Sequence, residues 1–161
     1  MINSDFKENL TFRKDIPNWD EYFIGLTKFA ATRSKDPKTQ VGAVIVDKDN
    51  RILSIGYNGM PRGIEDDDKH WSQKHLYVSH AEANAISFCK GDLEGATLYV
   101  TFLPCNECAK RIIQNKIKRV VYLTKKISKH IPGDVSLEMF EEAGVEVVQY
   151  TPTGRVITIE I

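Results

Sequence analysis

Ser79-His80-Ala81-Glu82-Ala83 is answered further along by Pro104-Cys105-Asn106-Glu107-Cys108. Zinc binds thiolate sulfur and imidazole nitrogen, normally in tetrahedral geometry, and a site with three protein ligands keeps a place for water. His80, Cys105 and Cys108 are the candidate ligands, and no residue beside them reads as a fourth. Zinc brings the pKa of a bound water down to roughly 7. Two thiolates offset the metal charge, so a nearby base helps, and Glu82 is the candidate. Each piece alone has a plain alternative, because a lone His is usually satisfied and a lone C-x-x-C is structural or redox-active. Together, in this order, with an unligated Glu two residues after the His, they point to a catalytic zinc site.

Both pieces read as helix starts. Ala81 to Cys89 opens one helix, and Cys105 to Gln114 forms a second behind Pro104, since proline suits a first turn. The positive end of that second helix favours the thiolate form of both cysteines. Cys89, on an apolar helical face, reads as a buried, inert thiol.

The 161 residues suggest a single domain, 1–161, with an irregular arm over 1–18. Apolar content of 42% and charged content of 27% are those of a soluble globular protein. Lys+Arg and Asp+Glu both number 22, so the basic surplus of a polynucleotide binder is missing and a small-molecule substrate is favoured. Three cysteines build no disulfide framework, residues 1–18 are polar rather than signal-like, and no apolar run approaches a membrane span. The expected setting is intracellular and cytoplasmic, without membrane or polynucleotide partners.

From Trp19, apolar residues at 19, 22, 23, 26, 29 and 30 predict a helix with its aromatics in the core, capped by Asn18. Pro37 closes it. Val41–Val46 and Arg51–Tyr57 flank Asp47-Lys48-Asp49-Asn50 and predict an antiparallel hairpin. Residues 61–78 read as a polar loop in which Glu65-Asp66-Asp67-Asp68 is a solvated face and His70 and His75 are surface histidines. Strands follow over Ala96–Thr101, Arg119–Leu123 and Val145–Gln149, with a loop at Thr124–Asp134 and a helix at Val135–Ala143 capped by Gly144. Val156–Ile161 reads as one more short edge strand. Strands joined through a helix tend to be parallel with right-handed crossovers. The fold class is therefore α/β: a three-layer α/β/α sandwich around a mixed five-stranded sheet, the first two strands antiparallel and the last three parallel. Both ligand turns then share one rim of that sheet.

H-x-E with P-C-x-x-C is the signature of zinc nucleobase deaminases. Five stretches carry the match, the two motifs included: Arg33-Ser34-Lys35-Asp36-Pro37, Gln40-Val41-Gly42-Ala43, Gly56-Tyr57-Asn58-Gly59-Met60-Pro61, His80-Ala81-Glu82 and Pro104-Cys105-Asn106-Glu107-Cys108-Ala109-Lys110. The chain resembles the deoxycytidylate (dCMP) deaminases of the cytidine deaminase superfamily, between about Trp19 and Gly144. The resemblance implies a cytidine deaminase-like fold, a Zn2+ cofactor and conversion of dCMP to dUMP and ammonia, supplying dUMP for dTMP synthesis. Glu82 would shuttle protons, Asn58 would contact the sugar, and Arg33 and Lys35 are candidate phosphate contacts. Related members are often hexamers, activated by dCTP and inhibited by dTTP at a separate site, for which Ser34, Asp36 and Gly59 are candidates. The alternatives are deamination of dCTP, cytidine or tRNA adenosine, or a non-catalytic zinc-stabilised nucleotide sensor. The second zinc site of some phage members has no cysteines here to build it.

Overall fold

The computed structural model describes residues 12–125 and 134–161. Helix α1 (Trp19–Ala31) precedes strands β1 (Gly42–Val46) and β2 (Ile52–Tyr57). Short helices α2 (Asp68–Ser72) and α3 (Lys74–Tyr77) lead to α4 (Ala81–Phe88). Then come β3 (Thr97–Phe102), α5 (Asn106–Gln114), β4 (Arg119–Thr124), α6 (Val135–Glu142) and β5 (Glu146–Gln149).

The strands form one sheet in the order β2-β1-β3-β4-β5. β1 runs antiparallel to both β2 and β3, whereas β3, β4 and β5 are parallel. All five residues of β1 are buried, as a central strand covered on both faces must be, while edge strand β2 alternates. On one face Phe23 and Ile24 of α1 pack with Val44, Val46, Tyr99 and Val121. On the other, Ala81, Ala85, Ile112 and Phe140 bring α4, α5 and α6 onto Ile45, Leu98, Val100 and Val120. The α/β/α layering and the mixed sheet agree with the sequence reading.

Asn18 caps α1 in a reciprocal box: Glu21 N–H donates to Asn18 Oδ1 at 2.9 Å, and Asn18 N–H to Glu21 Oε2 at 2.9 Å. The buried face of α1 is rotated from the expected one. Trp19 is 57% exposed, and the core-facing residues are Phe23, Ile24, Thr27, Ala30 and Ala31. Thr27 fits there because its hydroxyl donates to the Ile24 carbonyl at 2.7 Å. Asp20 then pins α1 to the sheet through Tyr99 Oη at 2.7 Å and both terminal nitrogens of Arg119 at 3.0 Å.

Three other expectations change. The 61–78 segment is not all loop: Asp67 accepts from His70 N–H at 2.8 Å and starts α2, and Asp66 pairs with Lys35 at 2.5 Å. The acidic run is therefore partly consumed in capping and pairing. Val156–Ile161 joins no strand and is exposed. Cys89 is half-buried at the end of α4 rather than fully enclosed. Part of the 1–18 arm and most of the 124–134 loop lie outside the described residues. Among those described, no helix is long and apolar enough to cross a membrane.

Gly56 is where α4 meets the sheet. A Cβ there would stand 2.3 Å from the Ala81 carbonyl oxygen and 2.5 Å from the Ala85 nitrogen, both backbone atoms of α4. Gly56→Ala must push that helix away and is expected to destabilise the protein by about 2–4 kcal/mol. Urea unfolding checks this; an unchanged midpoint would contradict the close approach.

Candidate metal centre and cavity

α4 and α5 open side by side on one rim of the sheet. β3 ends at Phe102 and passes through Leu103-Pro104 directly into Cys105, the N-cap of α5. The other ligand arrives by a longer route. After β2 the chain leaves the sheet, crosses α2 and α3, and is drawn back where Gly59 and Ser79 exchange backbone hydrogen bonds of 3.1 and 2.9 Å. His80 follows as the N-cap of α4. Ser79 Oγ donates to Asn84 Oδ1 at 2.7 Å, and Asn84 Nδ2 donates to the Tyr57 carbonyl at 2.8 Å, seating the first turn of α4 on the end of β2. Neither His80 nor Cys105 uses its side chain to cap its own helix, so both remain available as ligands.

The donor atoms of His80, Cys105 and Cys108 all lie within 4.8 Å of one another. His80 Nδ1 is 3.4 Å from Cys105 Sγ and 3.6 Å from Cys108 Sγ. Tetrahedral bonds of about 2.0 Å to nitrogen and 2.3 Å to sulfur imply a separation of about 3.5 Å. The residues therefore fit zinc in donor type and in spacing.

The electrostatics show a cluster short of positive charge. Hydrogen bonding from Cys108 and from His80 draws the Cys105 thiol far below its usual range. The Cys105 sulfur and burial push Cys108 upward, so the two sulfurs keep one proton between them. Contact with Cys105 raises His80, against the opposing effect of burial. Glu82, in the first turn of α4 and 4% exposed, is pushed up to about 7 by burial. A carboxyl poised near neutrality can both take and return a proton.

His80, Glu82 and Cys105 line a cavity of about 540 Å³, while Cys108 is buried. Asn58 and Asp36 line it as well, joined by Lys74, Val78, Lys125 and Ser136. Arg33 is exposed and Lys35 is turned toward Asp66; neither lines the cavity. Ser34 Oγ accepts from Asp36 N–H at 3.3 Å, and Gly59 serves in the bridge to Ser79. Sequence reading missed Lys74, whose ammonium lies 2.7 Å from both oxygens of the buried Asp36 carboxylate. Nothing in a polar loop marked that lysine.

Residues 17–124 match the model of the cytidine and deoxycytidylate deaminase zinc-binding region. The chain belongs to the cytidine and deoxycytidylate deaminase family. It is 46% identical to a probable deoxycytidylate deaminase of Drosophila melanogaster, the match covering 92% of this chain and 80% of that one. Identity to the deoxycytidylate deaminase of Homo sapiens is 41%, over 92% of this chain and 88% of the human one. Among solved structures, the dCMP deaminase of cyanophage S-TIM5 in apo form matches with a TM-score of 0.69 at 26% identity, covering 84% of this chain and 99% of that one. His80, Glu82, Cys105 and Cys108 all fall inside the family's zinc-binding region.

Proposed function

We propose that this deaminase removes the exocyclic amine of dCMP, taking up water and releasing dUMP and ammonia. The observation that carries the reading is the buried Glu82 carboxyl beside a three-donor zinc cluster on one cavity. Names of relatives over most of the chain support the nucleotide. A purely structural ion would have no use for Glu82, since burying an ionisable group without need is costly. That consideration disfavours a non-catalytic sensor.

His80, Cys105 and Cys108 would hold the zinc, which when bound acidifies water toward neutral pH. Glu82 accepts a proton from the attacking water and delivers it to ring N3. It then delivers the second water proton to the departing amine, so that ammonia leaves and the carboxylate is restored. Asn58 contacts the sugar. Lys74 and Lys125, as cations on the cavity, take the phosphate role first given to Arg33 and Lys35. The hexamer, regulation by dCTP and dTTP, and an intracellular, cytoplasmic setting are carried over from the family resemblance.

The test is a deamination screen over dCMP, deoxycytidine, dCTP, cytidine and tRNA. For dCMP, kcat/KM is expected to exceed that for deoxycytidine by about 100-fold, the scale of a charge-assisted contact or two. Equal values would remove phosphate recognition, and preference for another substrate would replace the reading. Adding dCTP or dTTP and finding unchanged kinetics would remove the effectors.

A further inference from the structure

Asp36 is 4% exposed, yet it is surrounded by donors. The N–H groups of Lys38 and Thr39 donate to Oδ1 at 2.8 and 3.0 Å. Lys74 Nζ stands 2.7 Å from each oxygen, and Asn58 Nδ2 donates to Oδ2 at 3.4 Å. A carboxylate so occupied has little left to offer a ligand. Its influence passes to Asn58, which is 5% exposed and shares the cavity.

The Asn58 amide is fixed at both ends. Val41 N–H donates to Oδ1 at 2.8 Å, and Nδ2 donates to the Thr39 carbonyl at 3.0 Å as well as to Asp36. The backbone N–H can only donate, while the carbonyl and carboxylate can only accept, so the amide has one permitted orientation. Asp36 holds it twice: directly, and by anchoring the N–H of the same Thr39 whose carbonyl receives Nδ2. Both amide hydrogens are then committed. What remains is a single lone pair on Oδ1.

We propose that Asp36 is a positioning residue that makes Asn58 an acceptor-only contact, so that the site reads a hydroxyl donor on the substrate sugar. The assignment rests on the mononucleotide reading above. In dCMP the phosphate oxygens, ring O4′ and O2 accept and do not donate. The amine is the reacting group. The 3′-hydroxyl is the donor that remains, and a substrate without it leaves Asn58 Oδ1 short of a partner.

The experiment compares dCMP with 2′,3′-dideoxycytidine 5′-monophosphate on the zinc-loaded protein. Wild type should prefer dCMP by about 30-fold in kcat/KM, mostly through KM, as expected for a buried hydrogen bond. Asp36→Ala should reduce that ratio about tenfold. Because it strands the Lys74 ammonium, the double variant Asp36→Ala/Lys74→Met, which leaves no unpaired charge, should show the same loss with a cooperative melt. A wild-type ratio near one overturns the proposal, as does a folded variant that keeps the full ratio and only melts earlier. Calorimetric dissociation constants for the two nucleotides with Glu82→Gln supply a readout that needs no turnover. The same preference there, together with a zinc-loaded wild type that does not deaminate dCMP, would overturn the functional reading and leave the sugar contact standing.

Discussion

Glu82→Gln is expected to lower kcat for dCMP by about 10⁴-fold while one zinc per chain is retained. Glutamine keeps the shape and hydrogen-bonding capacity of the side chain but cannot carry a proton from water to the ring, and general acid–base catalysis is worth up to about that factor. No metal ligand is touched, so metal analysis should match wild type. The substitution has a second, opposite effect. Burial pushes the Glu82 carboxyl from 4.5 to about 7. A raised folded-state value means that ionisation is easier in the unfolded chain, so the contribution is fully present below pH 4.5 and is lost as pH rises through about 7. In chelator-treated protein at pH 8, Glu82→Gln should therefore be more stable than wild type, by up to about 3 kcal/mol, and the gap should close toward pH 5. Steady-state kinetics and melts at the two pH values check both halves. Retained turnover would remove the proton shuttle. A gap that fails to narrow on acidification would mean that the carboxyl is not held neutral by burial. A residue that weakens the apo fold and is needed only for turnover is the expected trade of stability for activity.

The parts of this molecule visible in sequence are those set by local chemistry or by uniform burial. β1, β3 and β4 read as near-continuous apolar runs because helices cover both faces of the sheet there. Asn18 marked a helix start through its capping side chain, Gly144 a helix end through its backbone freedom at φ +70°, and Pro104 stands just ahead of the α5 N-cap. The ligand triad was legible because zinc demands particular atoms at particular spacings. What escaped depends on where elements sit in space. The period of α1 was right, but its phase was not: Thr27 turned out to be core and Trp19 exposed, since a threonine that bonds its own helix can be buried. Helices α2 and α3 carry no apolar stripe and no buried residue, so periodicity had nothing to detect. The Val156–Ile161 alternation looks like a strand, but among the described residues it pairs with no strand of the sheet. Arg33 and Lys35 came from motif matching, which fixes positions along the chain but not the side of the loop on which a long side chain lies. The link between Asp36 and Lys74 spans 38 residues and exists only in three dimensions.

Cys108→Ala is expected to abolish stoichiometric zinc binding, to remove deamination with it, and to bring the thermal midpoint down to that of chelated wild type. Cys108 is 3% exposed at the third position of α5, and among the described residues no other donor joins this cluster to take its place. A ligand that binds only the folded state stabilises it in proportion to the logarithm of its concentration over Kd, and a metal held by thiolates contributes several kcal/mol in this way. The sign with pH follows from the protons that must leave. Without metal, Cys108 is held protonated by the Cys105 sulfur, and His80 is raised by the same neighbour. Zinc needs thiolate and neutral imidazole, so binding expels protons and affinity must fall as pH is lowered. Zinc titrations of the apo protein in two buffers of different ionisation enthalpy should reveal net proton release near pH 7, with weaker binding at pH 6. The variant separates this centre from an ordinary buried thiol. Losing only a sulfur atom to alanine in a core would lower the midpoint equally with and without chelator. Losing a ligand removes the chelator effect itself, so the variant's two melts should superimpose while those of wild type stand apart. Wild-type melts insensitive to chelator, or a variant that still holds one zinc, would show that Cys108 is packing and not a ligand.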